Sequence, residues 1–368
     1  MGSIPPSPNR PRCQDPDSEA QEENMMKHLR VRLRVWGVVG SLALLVAACG
    51  GDDPVALGDD PVPVVFGGSV TWYGHLPIMV AAENGYFEEE GLDFTYETIL
   101  TSADRLTALT AGDVHFSNLG RTSLISAMAE GNESFYFFAN IDDSPGEDGL
   151  YARAGIESIE DLAGKTVAAN TSAEVAFFTH LEDHGMSVDD VDYVNLSPSD
   201  MCLALENGDV DAIDVWQPIL DDCMEAVPDG KLLLLDTDSS IYEQFGTAAA
   251  PDIVIIQREI VDETPDVAKA ITEAMFRGVD FVNESPDETA ELVAEEYFRQ
   301  PADEVLEGFS GFQFFGAENF EEHITAHTEQ MQWLAQWLYD QGQISSVPEV
   351  SEWVEYDFVL EMLEENES

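Results

Sequence analysis

The sequence predicts an α/β protein built as two lobes, each a sheet with parallel strands covered by helices. Three observations carry this expectation. Short apolar runs alternate with helical patterns from Val62 onward, and the alternation starts afresh after Tyr151. The chain of 368 residues, 44% hydrophobic and 10% aromatic, has material for one large core or two medium ones.

Taken in order, Val64-Val-Phe66 predicts a buried strand, followed by the loop from Thr71 to Leu76. Pro77 then stands at a first-turn position and leads Ile78–Ala82 into a helix that Gly85 ends. Leu92–Tyr96 alternates as a second strand, Ser102–Thr110 predicts a helix, and Val114–Asn118 a third strand. In the second lobe the expected elements are a short helix at 159–164, strands at 166–169, 193–195 and 212–215, and helices at 174–184 and 199–206. Ile253–Ile256 is a further buried strand, and from Pro265 the pattern is mostly amphipathic helix. Trp333 and Trp337 lie four apart on one helical face and are expected in the core.

Before Val62 the chain carries no core pattern. Residues 1–24 are a polar extension, with Met25 or Met26 a plausible start. Residues 25–48 resemble an export signal: Lys27, Arg30, Arg32 and Arg34 precede the apolar run Val35–Val46, which is short for a bilayer span and ends in Ala47-Ala-Cys49. That ending resembles a bacterial lipobox in which Cys49 is lipidated, with 49–61 as a Gly/Asp/Pro tether; cleavage by an ordinary signal peptidase is the alternative. The formal net charge is −58, from 73 Asp and Glu against 15 Lys and Arg. Such a chain repels nucleic acid and suits a salt-adapted exterior. The acids are scattered and form no Asp-x-Asp-x-Asp-Gly calcium loop, and no metal site or cofactor is expected. Cys202 and Cys223 are candidates for a disulfide, or for two small buried thiols.

The motifs Pro77-x-x-Val-Ala-x-x-x-Gly-Tyr-Phe87, Leu109-Thr-Ala-Gly-Asp-Val114, Asn118-Leu-Gly120, Ile159-Glu-Asp-Leu-x-Gly-Lys-Thr-Val167, Val194-Asn-Leu-x-Pro198, Gly208-Asp-Val-Asp-Ala212 and Trp216-x-Pro218 occur in this order. Together they resemble the nitrate/sulfonate/taurine class of ABC-transporter substrate-binding proteins, and most of all its taurine-binding members. The resemblance runs from Val62 to the C-terminus. It implies a two-lobed type 2 periplasmic-binding-protein clamshell with two interlobe crossovers, near Gly149–Arg153 and Ala248–Ile253. One lobe would then hold residues 62–149 and 251–368, the latter with the C-terminal helices, and the other 150–250. It also implies a monomer that is exported, anchored through Cys49, and delivers a small anionic or zwitterionic solute to a permease and its ATPase.

In such a clamshell the ligand lies beyond the carboxyl ends of the strands, where helix N-termini point. The resemblance accordingly places Trp72, Tyr73 and His75 in the first strand-to-helix loop, Asn118, Gly120 and Arg121 in a second turn, and Thr171 and Ser172 in the matching turn of the other lobe. Trp216 and Gln217 close the opposite wall. Thr171 and Ser172 suit a sulfonate, although a plain helix cap explains them as well. Arg121 is disfavoured by the helix dipole and would pair with a bound anion or with a neighbouring acid. Asp252 is the expected ammonium partner. Alternative solutes are nitrate and a heterocyclic vitamin precursor, and a sensor or adhesin without transport is a further reading. Seven scattered histidines without a Cys-x-x-Cys motif speak against an enzyme of the thiamine-pyrimidine synthase type.

Overall fold

In the computed structural model of the protein, residues 60–170, 173–217, 219–247, 252–318 and 320–366 are described. The expected lipidation site Cys49, the export signal and most of the tether lie outside them, as do Thr171, Ser172 and residues 248–251 of the second crossover.

The first sheet forms where β-branched and aromatic runs meet. Its strands are β1 (Val62–Gly68), β2 (Leu92–Thr98), β3 (Phe116–Gly120), β4 (Phe135–Ala139) and β11 (Asp252–Gln257), in the order β2-β1-β3-β11-β4. β1 pairs in parallel with β2 and β3, whereas β11 runs antiparallel to both of its neighbours. Phe66, Phe87, Phe94 and Phe116 stack across this core, the Phe87 and Phe94 rings lying face to face with centroids 3.9 Å apart.

The chain leaves this sheet after β4. It passes through β5 (Asp142–Asp143), which pairs with β12 (Gln313–Phe314), and enters a second sheet at β6 (Asp148–Ala152). β7 (Thr166–Ala169), β8 (Asp192–Asn195), β9 (Ala212–Trp216) and β10 (Lys231–Leu235) complete it in the order β10-β6-β9-β7-β8. The sheet change thus falls between Ala139 and Asp148, slightly before the expected crossover, because Gly149–Ala152 is already strand paired to β9. The antiparallel members β6 and β11 are each the first strand after a change of sheet.

Helices α1 (Leu76–Glu83), α2 (Ser102–Ala111) and α3 (Arg121–Ala129) follow β1, β2 and β3; α4 (Glu174–Asp183), α5 (Pro198–Asn207) and α6 (Ile219–Ala226) follow β7, β8 and β9. Parallel pairing requires such crossovers. A disulfide joins Cys202 of α5 to Cys223 of α6. The 20-residue α7 (Pro265–Glu284) crosses α1 so closely that a Cβ on Gly278 would stand 2.0 Å from the Pro77 carbonyl oxygen. The 21-residue α8 (Phe320–Asp340) packs on the second lobe as well as the first. Trp337 is buried with its ring 6.1 Å from Phe178 of α4, and Trp333 is half-buried against Phe245.

Candidate functional site

A cleft of about 250 Å³ opens where the two sheets face each other. From the first sheet it is lined at the carboxyl ends of β1, β2 and β3 and the helix starts that follow: Ser69, Thr71 and Trp72 after β1, Leu100, Ser102 and Arg105 after β2, and Gly120 to Ser123 after β3. Asp252, the register partner of Gly120, begins β11. From the second sheet come Asp148 and Trp216, register partners on β6 and β9. The location is the one that strand polarity dictates for a parallel sheet.

Two buried guanidinium groups dominate the first-sheet wall. Arg105 is 4% exposed, donates to the carbonyls of Ile99 (2.9 Å) and Leu100 (3.2 Å) and to Ser102 Oγ (3.1 Å), and lies 3.9 Å from Asp252 Oδ2. Burial lowers its pKa, with Asp252 acting in the opposite sense. Arg121, at the first position of α3, is 2% exposed and contacts His327 Nδ1 of α8. A guanidinium only donates, so His327 Nδ1 accepts. Burial lowers the Arg121 pKa to about 10 against the pull of Asp143, Asp142 and Asp252, and burial first, then Arg121, holds His327 well below its ordinary value. Helix α3 starts at Gly120 without a side-chain cap, so its first amides are open toward the cleft.

Beneath the cleft floor runs a polar network. The Ser69 amide donates to His75 Nδ1 (2.9 Å), which places the ring proton on Nε2, 3.3 Å from the Asn118 carbonyl and 3.6 Å from Asp252. The side-chain amide of Asn118 donates to Asp142 Oδ1, and that of Asn140 donates to the backbone carbonyls of Asp142 and Asp252.

Of the residues expected in the site, Trp72, Gly120, Arg121, Trp216 and Asp252 line the cleft. Four do not. Tyr73 is buried against Phe298 and Phe309, with its hydroxyl on Gln300, because the short helical turn after Trp72 directs it into the core. His75 and Asn118 belong to the network below the floor, and Gln217 is held by Asp221 at the start of α6. Asp252 stands beside Arg105, which supplies a counter-charge of its own chain, and beside the Nε2 proton of His75. Thr122, in the same turn as Gly120 and Arg121, lines the cleft too, and Ser69, Thr71, Leu100, Ser102, Arg105, Ser123 and Asp148 are lining residues that the sequence does not single out. Arg105 carries a signal in the sequence: it follows the β2-to-α2 turn, which stands to its strand as the turns after β1 and β3 stand to theirs. Among the described residues no group of three or more His, Cys, Asp or Glu is arranged to hold a metal ion.

Comparison with known proteins adds the family. A binding protein of Brucella abortus is 27% identical over 242 residues, 65% of this chain and 73% of that one. The taurine-binding periplasmic protein of Escherichia coli K12 is 30% identical over 205 residues, 54% of this chain and 60% of its own. Among solved structures, the periplasmic aliphatic sulphonate binding protein of Escherichia coli superposes with a TM-score of 0.66 at 16% identity, over 80% of this chain and 98% of that one. That likeness establishes a shared fold, the two-lobed clamshell. The profile of the family described as NMT1/THI5 like matches residues 72–289, and the chain belongs to that family.

Proposed function

We propose that the protein is the extracytoplasmic solute-binding component of an ABC importer and that its cleft takes a small sulfonate such as taurine. The observation that carries this reading is the pair of buried guanidinium groups, Arg105 and Arg121, on one wall of a small cleft among the hydroxyls of Ser69, Thr71, Ser102, Thr122 and Ser123. Both guanidinium groups are held in place by acids of their own chain, Asp252 for Arg105 and Asp143 and Asp142 for Arg121, so a bound anion adds charge-assisted bonds to donors already fixed beside the cleft, and the uncapped start of α3 adds amide donors on the same wall. The indole rings of Trp72 and Trp216 flank it and exclude water around a short carbon chain. The names of the relatives, taurine-binding and sulphonate-binding, support the same choice. Lipid anchoring at Cys49, a monomeric state, hand-over to a permease and the absence of catalysis belong to the same proposal.

Calorimetric titration and thermal shift with taurine, ethanesulfonate and nitrate test it. We expect micromolar or tighter binding of a sulfonate, and stabilisation by about 2.7 kcal/mol at a hundredfold excess of ligand over Kd. Binding of nitrate alone, or turnover of a bound sulfonate, would sink the proposal.

A further inference from the structure

The wall that carries Trp216 contains a carboxyl that nothing in its surroundings neutralises. Asp148 opens β6, is 3% exposed, and lines the cleft beside its register partner. Among the described residues no side chain or amide bonds to its carboxyl. Behind it, Asp214 on β9 has both oxygens buried without a partner. Asp236, just after β10, accepts the amides of Gly146 and Thr237 on Oδ1 but has nothing on Oδ2. Glu147 on the same segment and Asp143 of β5 add to the acid field. Every charged group that faces Asp148 from its own sheet and from β5 is therefore acidic; the cleft's cations, Arg105 and Arg121, lie on the opposite wall together with Asp252. Burial first, then these acids, raise Asp148 and Asp236 far above the ordinary carboxylate range, and Asp214 reaches about 8.

We propose that Asp148, with the Trp216 ring, receives the cationic group of the solute, so that a zwitterion lies across the cleft with its anion toward Arg105 and Arg121. This rests on the sulfonate reading and names its second pole. Asp252 is less suited, since Arg105 and His75 already stand at its carboxyl. An incoming ammonium supplies the counter-charge that Asp148 lacks, and it stabilises the carboxylate over the acid. The ammonium keeps its protons. The proton on Asp148 passes to solvent, so binding of the zwitterion releases one proton, whereas an alkanesulfonate without an amine leaves the carboxyl protonated.

The test is calorimetric titration of the full-length protein with taurine and with ethanesulfonate, at pH 6.0 and 7.0 and in two buffers of different ionisation enthalpy. For wild type we expect release of about one proton with taurine and none with ethanesulfonate, and taurine affinity rising about tenfold per pH unit in this range. Asp148→Asn, isosteric with the protonated acid, should cut the ratio of taurine to ethanesulfonate affinity about 30-fold and abolish the proton release, and Asp148→Glu should restore part of both. An unchanged ratio in Asp148→Asn, or wild-type binding of ethanesulfonate but not taurine, overturns this inference and leaves the sulfonate reading standing. Failure of the wild type to bind either ligand overturns both.

Discussion

At the scale of single residues, the cleft depends on groups that never touch its surface. Gly74 is one. A Cβ there would stand 2.3 Å from both Asp142 Oδ2 and Trp72 Nε1, so only hydrogen lets the loop after β1 lie flat over the buried Asp142. Gly74→Ala must push the Trp72 indole out of the cleft wall or displace Asp142 from Asn118. Overpacking of this kind costs about 1–3 kcal/mol, and with the wall disturbed we expect a drop in ligand affinity as well. Denaturant unfolding and calorimetry together check it; unchanged stability and affinity would show that the loop adjusts freely. The same residue explains part of what the sequence concealed. Trp72, Arg121 and Trp216 were legible because each ends or follows a recognisable strand, whereas Tyr73, one position along, turns inward through a helical turn whose direction no spacing reveals. Asp148 was illegible for a different reason: as one acid among 73 Asp and Glu it carries no signal until the fold buries it.

At the scale of elements, the parallel strands β1 to β3 and β7 to β9 were legible because apolar runs between turn residues and helical periods mark them. β6 and β10 were not. β6 reads Asp-Gly-Leu-Tyr-Ala, opening with two residues that strands disfavour, and β10 is a leucine run with no period of two; both are strands because their neighbours in the sheet pair with them. The outcome is a sheet with Asp148, Asp214 and Asp236 gathered at β6, β9 and β10, and it has a consequence for stability. A carboxyl whose folded pKa is raised binds more protons when folded, so its contribution is complete below about pH 4 and is lost as pH rises toward 8. Buried His180, lowered by burial to about 4, and His327 act in the opposite sense, but only below the ordinary histidine value near 6.5. Between pH 6.5 and 8 the acids act alone. Stability should therefore fall with rising pH, by up to about 1.4 kcal/mol per unit for each carboxyl. Asp214→Asn should flatten the slope. A melting temperature constant across this window in the wild type would mean that the acids are ionised in the fold.

At the scale of the whole molecule, charge is the dominant fact. The chain carries 73 acids and only 15 Lys and Arg. Among the described residues, three of the cations that reach the surface form ion pairs: Lys231 with Glu157, Lys269 with Glu361 and Glu365, and Arg277 with Glu89 and Glu90. Exposed pairs of this sort contribute little each, about 0–1 kcal/mol, and cannot offset the repulsion among the acids left over. Folding brings those acids closer together than they are in the extended chain, so the repulsion weighs more on the folded state than on the unfolded one. Salt acts on the same term. The screening length shrinks from about 14 Å at 0.05 M to about 3 Å at 1 M, below the usual spacing of surface carboxylates. The cleft responds in the other direction, because attraction between Arg105, Arg121 and an anion is screened as well, although less so for groups this buried. We therefore expect the melting temperature of the ligand-free protein to climb steadily from 0.05 to 1 M sodium chloride, while sulfonate affinity changes by less than about threefold over the same range. Scanning calorimetry and titration at matched salt concentrations measure the two quantities independently. A melting temperature that stays flat, or falls, would show that the acidic surplus is compensated within the fold rather than by the solution.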